Sequence, residues 1–350
     1  MPRYALLLRA SGNRVFGESA FDLAIGELEL FGARALEGSA SAARTRIAGV
    51  DYLTVDLAQP IAPTELDVLA NLSGLHALFE VDDHGRFRPL ECTPRRVLDE
   101  DLVTIQRYAG KTNEAFTHLL LNLALASGEG AVERWLAGER LRLLDPVCGR
   151  GTTLNRAALH GIDAHGIERE QRDVAAYDTF VTTWLQDKRL KHTVQRATLR
   201  RGRATTAHRV TITYGASKDT STHRVIDVVH DDSRFARDHL TARSVDLLVG
   251  DLPYGVQHGS TGSSGRARGP EAFLVEALPV WRDVLRPGAG VALSWNRRTL
   301  ARARLVELAS EAGLEVAGPE DDRFVHRVDR SITRDVLVGR RPPTTASGSS

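Results

Sequence analysis

Hydrophobic positions follow two rhythms along the chain, and the change comes near residue 105. Before it, YALLLRA at 4–10, YLTVDL within 50–57 and LHALFEV at 75–81 have the short apolar runs of strands, the last turning through DDHG into RFRPLEC. Residues 19–32 set Phe21, Leu23, Ala24, Leu28, Leu30 and Phe31 at helical spacing and stop at Gly32. Pro63 and Thr64 open a second helix that runs to Leu72 and closes at Gly74. The pattern predicts a small α+β unit of ferredoxin-like arrangement over residues 1–105.

After 105, a strongly apolar helix at 113–126 (NEAFTHLLLNLALA) is followed by strict alternation. LRLLDPV precedes a helix at 152–159, DAHGIE one at 170–185, and RVIDVVH one near 233–240. VDLLVGD comes before a loop and a helix at 271–285, and AGVALSW before a helix at 298–312. Strand–helix alternation predicts a doubly wound, Rossmann-like α/β sheet with helices on both faces, spanning 106–340. VHRVDRSITRDVLVGRR lacks a following helix and is expected as an antiparallel hairpin on the sheet edge. Residues 341–350 are expected to be a disordered tail.

Composition narrows the class. The chain has 350 residues, 42% hydrophobic and 26% charged, the balance of a globular protein. Two cysteines, Cys92 and Cys148, are too few for a disulfide framework or a four-cysteine zinc site. They suit a reducing compartment. The absence of an eighteen-residue apolar stretch and the short apolar run at the start predict no membrane partner and a cytoplasmic location. Net charge is only +1, but residues 1–100 hold ten Lys/Arg against fifteen Asp/Glu. A nucleic-acid surface therefore belongs to the second half.

Candidate chemistry starts at LLDPVCGRGTT, 143–153, where a strand breaks into a glycine-rich turn and then a helix. Gly149 and Gly151 allow close backbone approach to a ligand, and the helix start at Thr152 offers free N–H groups. Asp145, ending the strand, suits a ligand amine. Glu168, ending the next strand, lies where this fold places a carboxylate on ribose hydroxyls. The spacing is not that of a dinucleotide loop. A second strand, VDLLVGD, ends in Asp251-Leu252-Pro253-Tyr254. A carboxylate and carbonyls there accept from an exocyclic amine, the ring of Tyr254 can stack on a base, and Pro253 stiffens the turn. No His/Cys/Asp spacing marks a metal site.

DPVCGRGT followed by DLPY resembles the S-adenosylmethionine-dependent amino-methyltransferases, whose signatures are DPxCGxGT and (D/N)PPY. Within them the chain is similar to the RNA methylase family that includes tRNA guanosine-N2 methyltransferases of the THUMP-associated kind. RYAGKTNEAFTHLLLNLAL at 107–125 resembles the helical lead-in of those enzymes. The resemblance implies S-adenosylmethionine as cofactor, with Asp145, Cys148, Gly149, Gly151 and Thr152 around its methionine end and Glu168 on its ribose. It implies Asp232 at the adenine amine, with Asp231 a close competitor, and Asp251 to Tyr254 around the target base. Leu252 departs from the family's proline, and 105 residues leave room for at most a reduced THUMP domain.

Between Glu168 and Asp232 the chain also carries a basic insert, about 188–215. Residues 188–209 include eight Lys/Arg and no acid, and RATLRRG and HRVTITYG can pair as a hairpin. Arg196, Arg200, Arg201 and Arg203 are the expected phosphate contacts. Arg297, Arg298, Arg327, Arg330 and Arg334 could extend that surface or be spent on structural pairing. The expected activity is methyl transfer to a nucleobase amine in RNA, guanosine N2 in tRNA foremost. Alternatives are a DNA adenine or cytosine amino-methyltransferase, a non-catalytic RNA-binding protein with the same fold, and a small-molecule amine methyltransferase. Whether a protein activator takes part is left open.

Overall fold

The computed structural model describes residues 1–10, 14–34, 41–201, 204–215, 219–253, 269–317 and 322–344. The chain forms two units. The first holds Met1–Arg95, Asn296–Arg298 and the described part of Gly318–Val336; the second holds Arg96–Trp295, Thr299–Ala317 and the described part of Leu337–Ser350.

In the first unit β1 (Arg3–Leu8), α1 (Arg14–Leu30), β2 (Ser41–Ile47), β3 (Val50–Asp56), α2 (Pro63–Leu69), β4 (Leu75–Val81) and β5 (Phe87–Leu90) follow in order. The five strands form an antiparallel sheet, β2-β3-β1-β4-β5. That is the ferredoxin-like order with one hairpin strand added. Tyr4, Ala5, Leu6, Leu53, Thr54, Val55 and Leu78 are buried in the middle of the sheet. Strand β2 escapes a hydrophobicity reading because SAARTRI carries one large apolar residue.

The second unit starts with α3 (Asp101–Thr104), α4 (Glu114–Ser127) and α5 (Ala131–Leu136). Asn113 caps α4, its side chain accepting from the N–H groups of Ala115 and Phe116. From Phe116 to Ser127 every residue of α4 is buried, which is why the sequence is apolar all round. Then come β6 (Arg142–Asp145), α6 (Thr152–Leu159), β7 (Asp163–Glu168), α7 (Gln171–Asp187), β8 (His192–Arg201), β9 (Ala204–Tyr214), β10 (Arg224–His230) and α8 (Ala236–His239). The chain continues through β11 (Val245–Asp251), α9 (Pro270–Val284), β12 (Leu285–Asn296), α10 (Arg302–Glu311), β13 (Glu315–Ala317), β14 (His326–Arg327) and β15 (Thr333–Arg340).

The large sheet runs β13-β15-β12-β11-β6-β7-β10-β9-β8, with β14 on β15. Strands β12, β11, β6, β7 and β10 are parallel, and β13 and β9 pair antiparallel with their neighbours. This is the doubly wound, Rossmann-like class. The chain works outward from β6 to β10, then crosses back to β11 on the other side. Ligands of such sheets bind beyond the carboxyl ends of the strands at that reversal. Here those ends are Asp145 of β6 and Asp251 of β11. The basic insert is not an appendage: β10 is paired along its whole length by β9 residues 208–214, and β8 is the sheet's outer strand.

Candidate functional site

The glycine loop joins β6 to α6. Asp145 is buried, and its Oδ1 accepts from the Val147 N–H at 3.0 Å. Burial pushes its carboxyl up to about 7, reinforced by the nearby charges of Asp251 and Glu168. Gly149 and Gly151 both have positive φ, 51° and 77°. They differ in what surrounds them. A Cβ on Gly151 would stand 2.2 Å from the Tyr177 ring, whereas one on Gly149 meets no atom within 4 Å. Tyr177 is fixed there by donating to Asn155 at 3.0 Å. The loop is thus packed on its Gly151 side and open at Gly149.

Glu168 ends β7 beside that opening. Its two oxygens accept from the N–H groups of Gly149 and Glu170, each at 2.8 Å. Burial raises its carboxyl above the ordinary range against the pull of those N–H groups. Cys148 is buried with its sulfur over Gly166 of β7, and burial pushes its thiol well up. Its side chain therefore supports the loop from beneath. Thr152 shares a 2.7 Å hydrogen bond with the Tyr108 hydroxyl. The Arg150 guanidinium lies 5.1 Å from the Tyr108 ring centroid and donates to Asp173 at 2.9 Å.

After β10, Asp231 accepts from His239 Nε2 at 2.7 Å, in the tautomer that places the proton there. Asp232 caps the next turn through the Arg234 N–H and takes two bonds from that guanidinium. Burial opposes ionisation of Asp232, but the Arg234 bonds outweigh it and hold the carboxyl below its ordinary value.

On β11, Asp251 has a hydroxyl on each oxygen. Thr112 Oγ1 donates to Oδ2 at 2.7 Å, and Ser294 Oγ to Oδ1. Leu252 is buried in the core, and its N–H donates to the Ser294 carbonyl at 2.8 Å. What Leu252 can offer a ligand is its carbonyl. Pro253 is exposed. Tyr254, and the glycine-rich loop that follows it, lie outside the described residues.

Thr112, Ser294 and Tyr108 went unnoticed in the sequence. Their signal is topological: Asp251 and Ser294 are register partners of parallel strands. The 106–112 segment is held against the site by Lys111, which donates to the Val103 carbonyl at 2.7 Å and to Glu114 at 2.5 Å.

The expected phosphate contacts divide. Arg196 is spent on Asp178, with two bonds of 2.8 Å. Arg200 is exposed. Arg203 and the side chain of Arg201 lie outside the described residues. Among the described residues no cluster of His, Cys, Asp or Glu is arranged for a metal, and no helix is long and apolar enough to cross a membrane.

An open glycine turn flanked by the buried Asp145 and the half-buried Glu168, with an acidic strand end on the neighbouring strand, belongs to a doubly wound methyltransferase. Residues 115–303 match the family described as RMKL-like, methyltransferase domain, and the chain belongs to that family. It is an S-adenosylmethionine-dependent methyltransferase. No curated protein sequence matches the chain. Solved structures with a similar fold include fibrillarin from Aeropyrum pernix with natively bound S-adenosyl-L-methionine: 15% identity, TM-score 0.36, covering 76% of this chain and 94% of that one. An rRNA methylase from Streptococcus thermophilus has 8% identity and TM-score 0.35, covering 64% and 95%. A TehB-like methyltransferase from Corynebacterium glutamicum has 13% and 0.33, covering 59% and 85%. Likeness at these scores assigns no substrate.

Proposed function

We propose that the protein methylates an exocyclic amine of a nucleobase in RNA, with guanosine N2 of tRNA as the target, and acts in the cytoplasm. The observation that carries this reading is Asp251: a carboxylate at the strand end beside the cofactor loop, with both oxygens oriented by hydroxyls. Such a group is built to accept hydrogen bonds from an amine in a set direction.

S-adenosylmethionine, when bound, supplies an electrophilic methyl group. The loop fits it: the opening at Gly149 admits the chain of an amino acid, Asp145 faces an ammonium, and Glu168 still has lone pairs for ribose hydroxyls. The adenine amine is read at the 231–232 turn. Asp251 and the Leu252 carbonyl hold the target amine with its lone pair toward the donor, and Asp251 takes up the amine proton late or passes it to water. Tyr254 stacks on the base.

Incubation with labelled S-adenosylmethionine and either total tRNA or genomic DNA, followed by nucleoside analysis, tests this. Label in N2-methylguanosine from tRNA is expected. Label in DNA alone, or in neither polymer, would overturn it.

A further inference from the structure

In the first unit, two segments far apart in sequence, 296–298 and 326–334, are stapled together by one buried side chain. Asn296 donates from Nδ2 to the Ser331 carbonyl at 3.3 Å, and its Oδ1 accepts from the N–H groups of Arg298 and Thr333 at 3.2 and 3.1 Å. The Arg297 N–H adds a 2.8 Å bond to the Thr333 carbonyl. Residues 328–332 form a tight turn: the Asp329 carboxylate accepts from the Ser331 N–H and hydroxyl and from the Ile332 N–H.

This staple sets three exposed arginines on one knuckle, and the unusual feature is what their guanidiniums hold. Arg298 donates to the Arg330 carbonyl at 2.8 Å and to the Thr333 hydroxyl at 3.2 Å. Arg327, the cross-strand partner of Thr333, donates to the Asp329 carbonyl at 2.9 Å. Among the described residues, neither these two nor Arg330 forms an ion pair with a carboxylate. Arg297 behaves differently, pairing with Asp322 and Asp335. Asp329, the one acid inside the turn, spends its oxygens on the Ser331 and Ile332 N–H groups and the Ser331 hydroxyl, and those bonds, with a smaller contribution from the Arg327 charge, hold its carboxyl below the ordinary value.

A carbonyl orients a guanidinium without cancelling its charge. Arg298 and Arg327 therefore keep unused N–H groups and have already lost much of their side-chain freedom. An arginine fork on a fixed stem matches a phosphate oxygen pair. Two such forks with the exposed Arg330 beside them, on and around one turn, fit a run of phosphates better than a single anion.

We infer that the Arg298–Arg327–Arg330 knuckle is a phosphate-backbone contact for the RNA substrate, carried by the first unit. The inference rests on the reading that RNA is the substrate, and names where that substrate is held. Contacts of this kind give affinity without reading sequence.

The test measures RNA binding and methyl transfer separately. Affinity of the full-length protein for total tRNA is followed against salt for wild type, for the triple Arg→Ser variant at 298, 327 and 330, and for the triple Arg→Lys variant. Each phosphate contact contributes about 0.7 to 0.9 to the slope of log K against log salt, so the Ser variant should lose roughly two units and the Lys variant should keep most of the slope. Cofactor affinity, thermal midpoint and the methylated nucleoside should be the same in all three. An unchanged slope in the Ser variant, or no binding of tRNA by wild type, overturns the knuckle. Binding with the expected slope change but without methyl transfer to any RNA overturns the substrate reading and leaves the knuckle standing as an RNA contact. Loss of slope in the Ser variant only for an acidic protein ligand, and not for tRNA, would make the knuckle a protein-docking site and also overturn the inference.

Discussion

Thr112 donates to Asp251 at 2.7 Å across 139 residues of sequence. The bond ties the segment before α4 to the carboxyl end of β11, so the strand end does not define the site alone. A hydroxyl on each carboxylate oxygen fixes the Asp251 plane. Thr112→Val removes one donor at nearly constant volume. A hydrogen bond to a charged group contributes about 1.5 to 3 kcal/mol, so kcat should fall roughly tenfold to a hundredfold. Cofactor affinity should stay near wild type, and Thr112→Ser should restore most of the rate. Equal turnover in wild type and the Val variant, measured under single-turnover conditions, would remove Thr112 from the site.

The two loop glycines should respond in opposite ways to the same change. Gly151→Ala forces a Cβ into the Tyr177 ring. It should destabilise the fold by several kcal/mol, because a strained backbone and a clash in a packed core add. Gly149→Ala meets no protein atom. It should cost only about 1 kcal/mol of stability from the positive φ, yet weaken S-adenosylmethionine binding clearly. Denaturant melts and calorimetry on both variants check the contrast; a Gly149→Ala protein with wild-type cofactor affinity would place the cofactor elsewhere.

Asp145 imposes a pH dependence of definite sign. Its carboxyl is pushed from 3.8 to about 7 in the folded protein. Below about pH 4 both folded and unfolded forms are protonated, and the group has no effect. As pH rises toward 7 the unfolded chain releases the proton first, so stability falls through that window and levels off above it. The whole penalty is of order 4 kcal/mol for a shift of this size. Asp145→Asn should abolish this component, so its stability relative to wild type should climb between pH 4 and 7. A constant difference between the two across that range would contradict the raised value.

Within the hairpin, Arg196 and Arg200 should separate. Arg196 already serves Asp178, while Arg200 is exposed on the outer strand. Arg196→Ser should leave the salt slope of tRNA binding unchanged. Arg200→Ser should reduce it by about 0.7 to 0.9 if that side chain meets a phosphate. Identical slopes for the two variants would show that the pairing with Asp178 does not decide their roles.

Local signals carried much of the fold into the sequence. Apolar runs and periodicity marked β1, β3, β4, α4 and the β6-to-β12 alternation, because burial of a segment, on one face or all round, selects apolar residues in a pattern that is visible without the partner. The glycine loop and the Asp251 strand end were legible for a similar reason: positive φ and strand termini are properties of a few consecutive residues. Strand β2 was missed because its pairing with β3 rests on backbone bonds and salt bridges such as Arg44–Asp51, which leave no apolar pattern. Tertiary structure alone decided which hydroxyls reach Asp251 and that Arg196 is consumed by Asp178. It alone decided that residues 296–298 join 326–334 in the first unit through Asn296. These are contacts between segments tens to more than a hundred residues apart. They depend on strand order and on where crossovers land, and no periodicity or spacing along one segment records which distant side chain will arrive beside it.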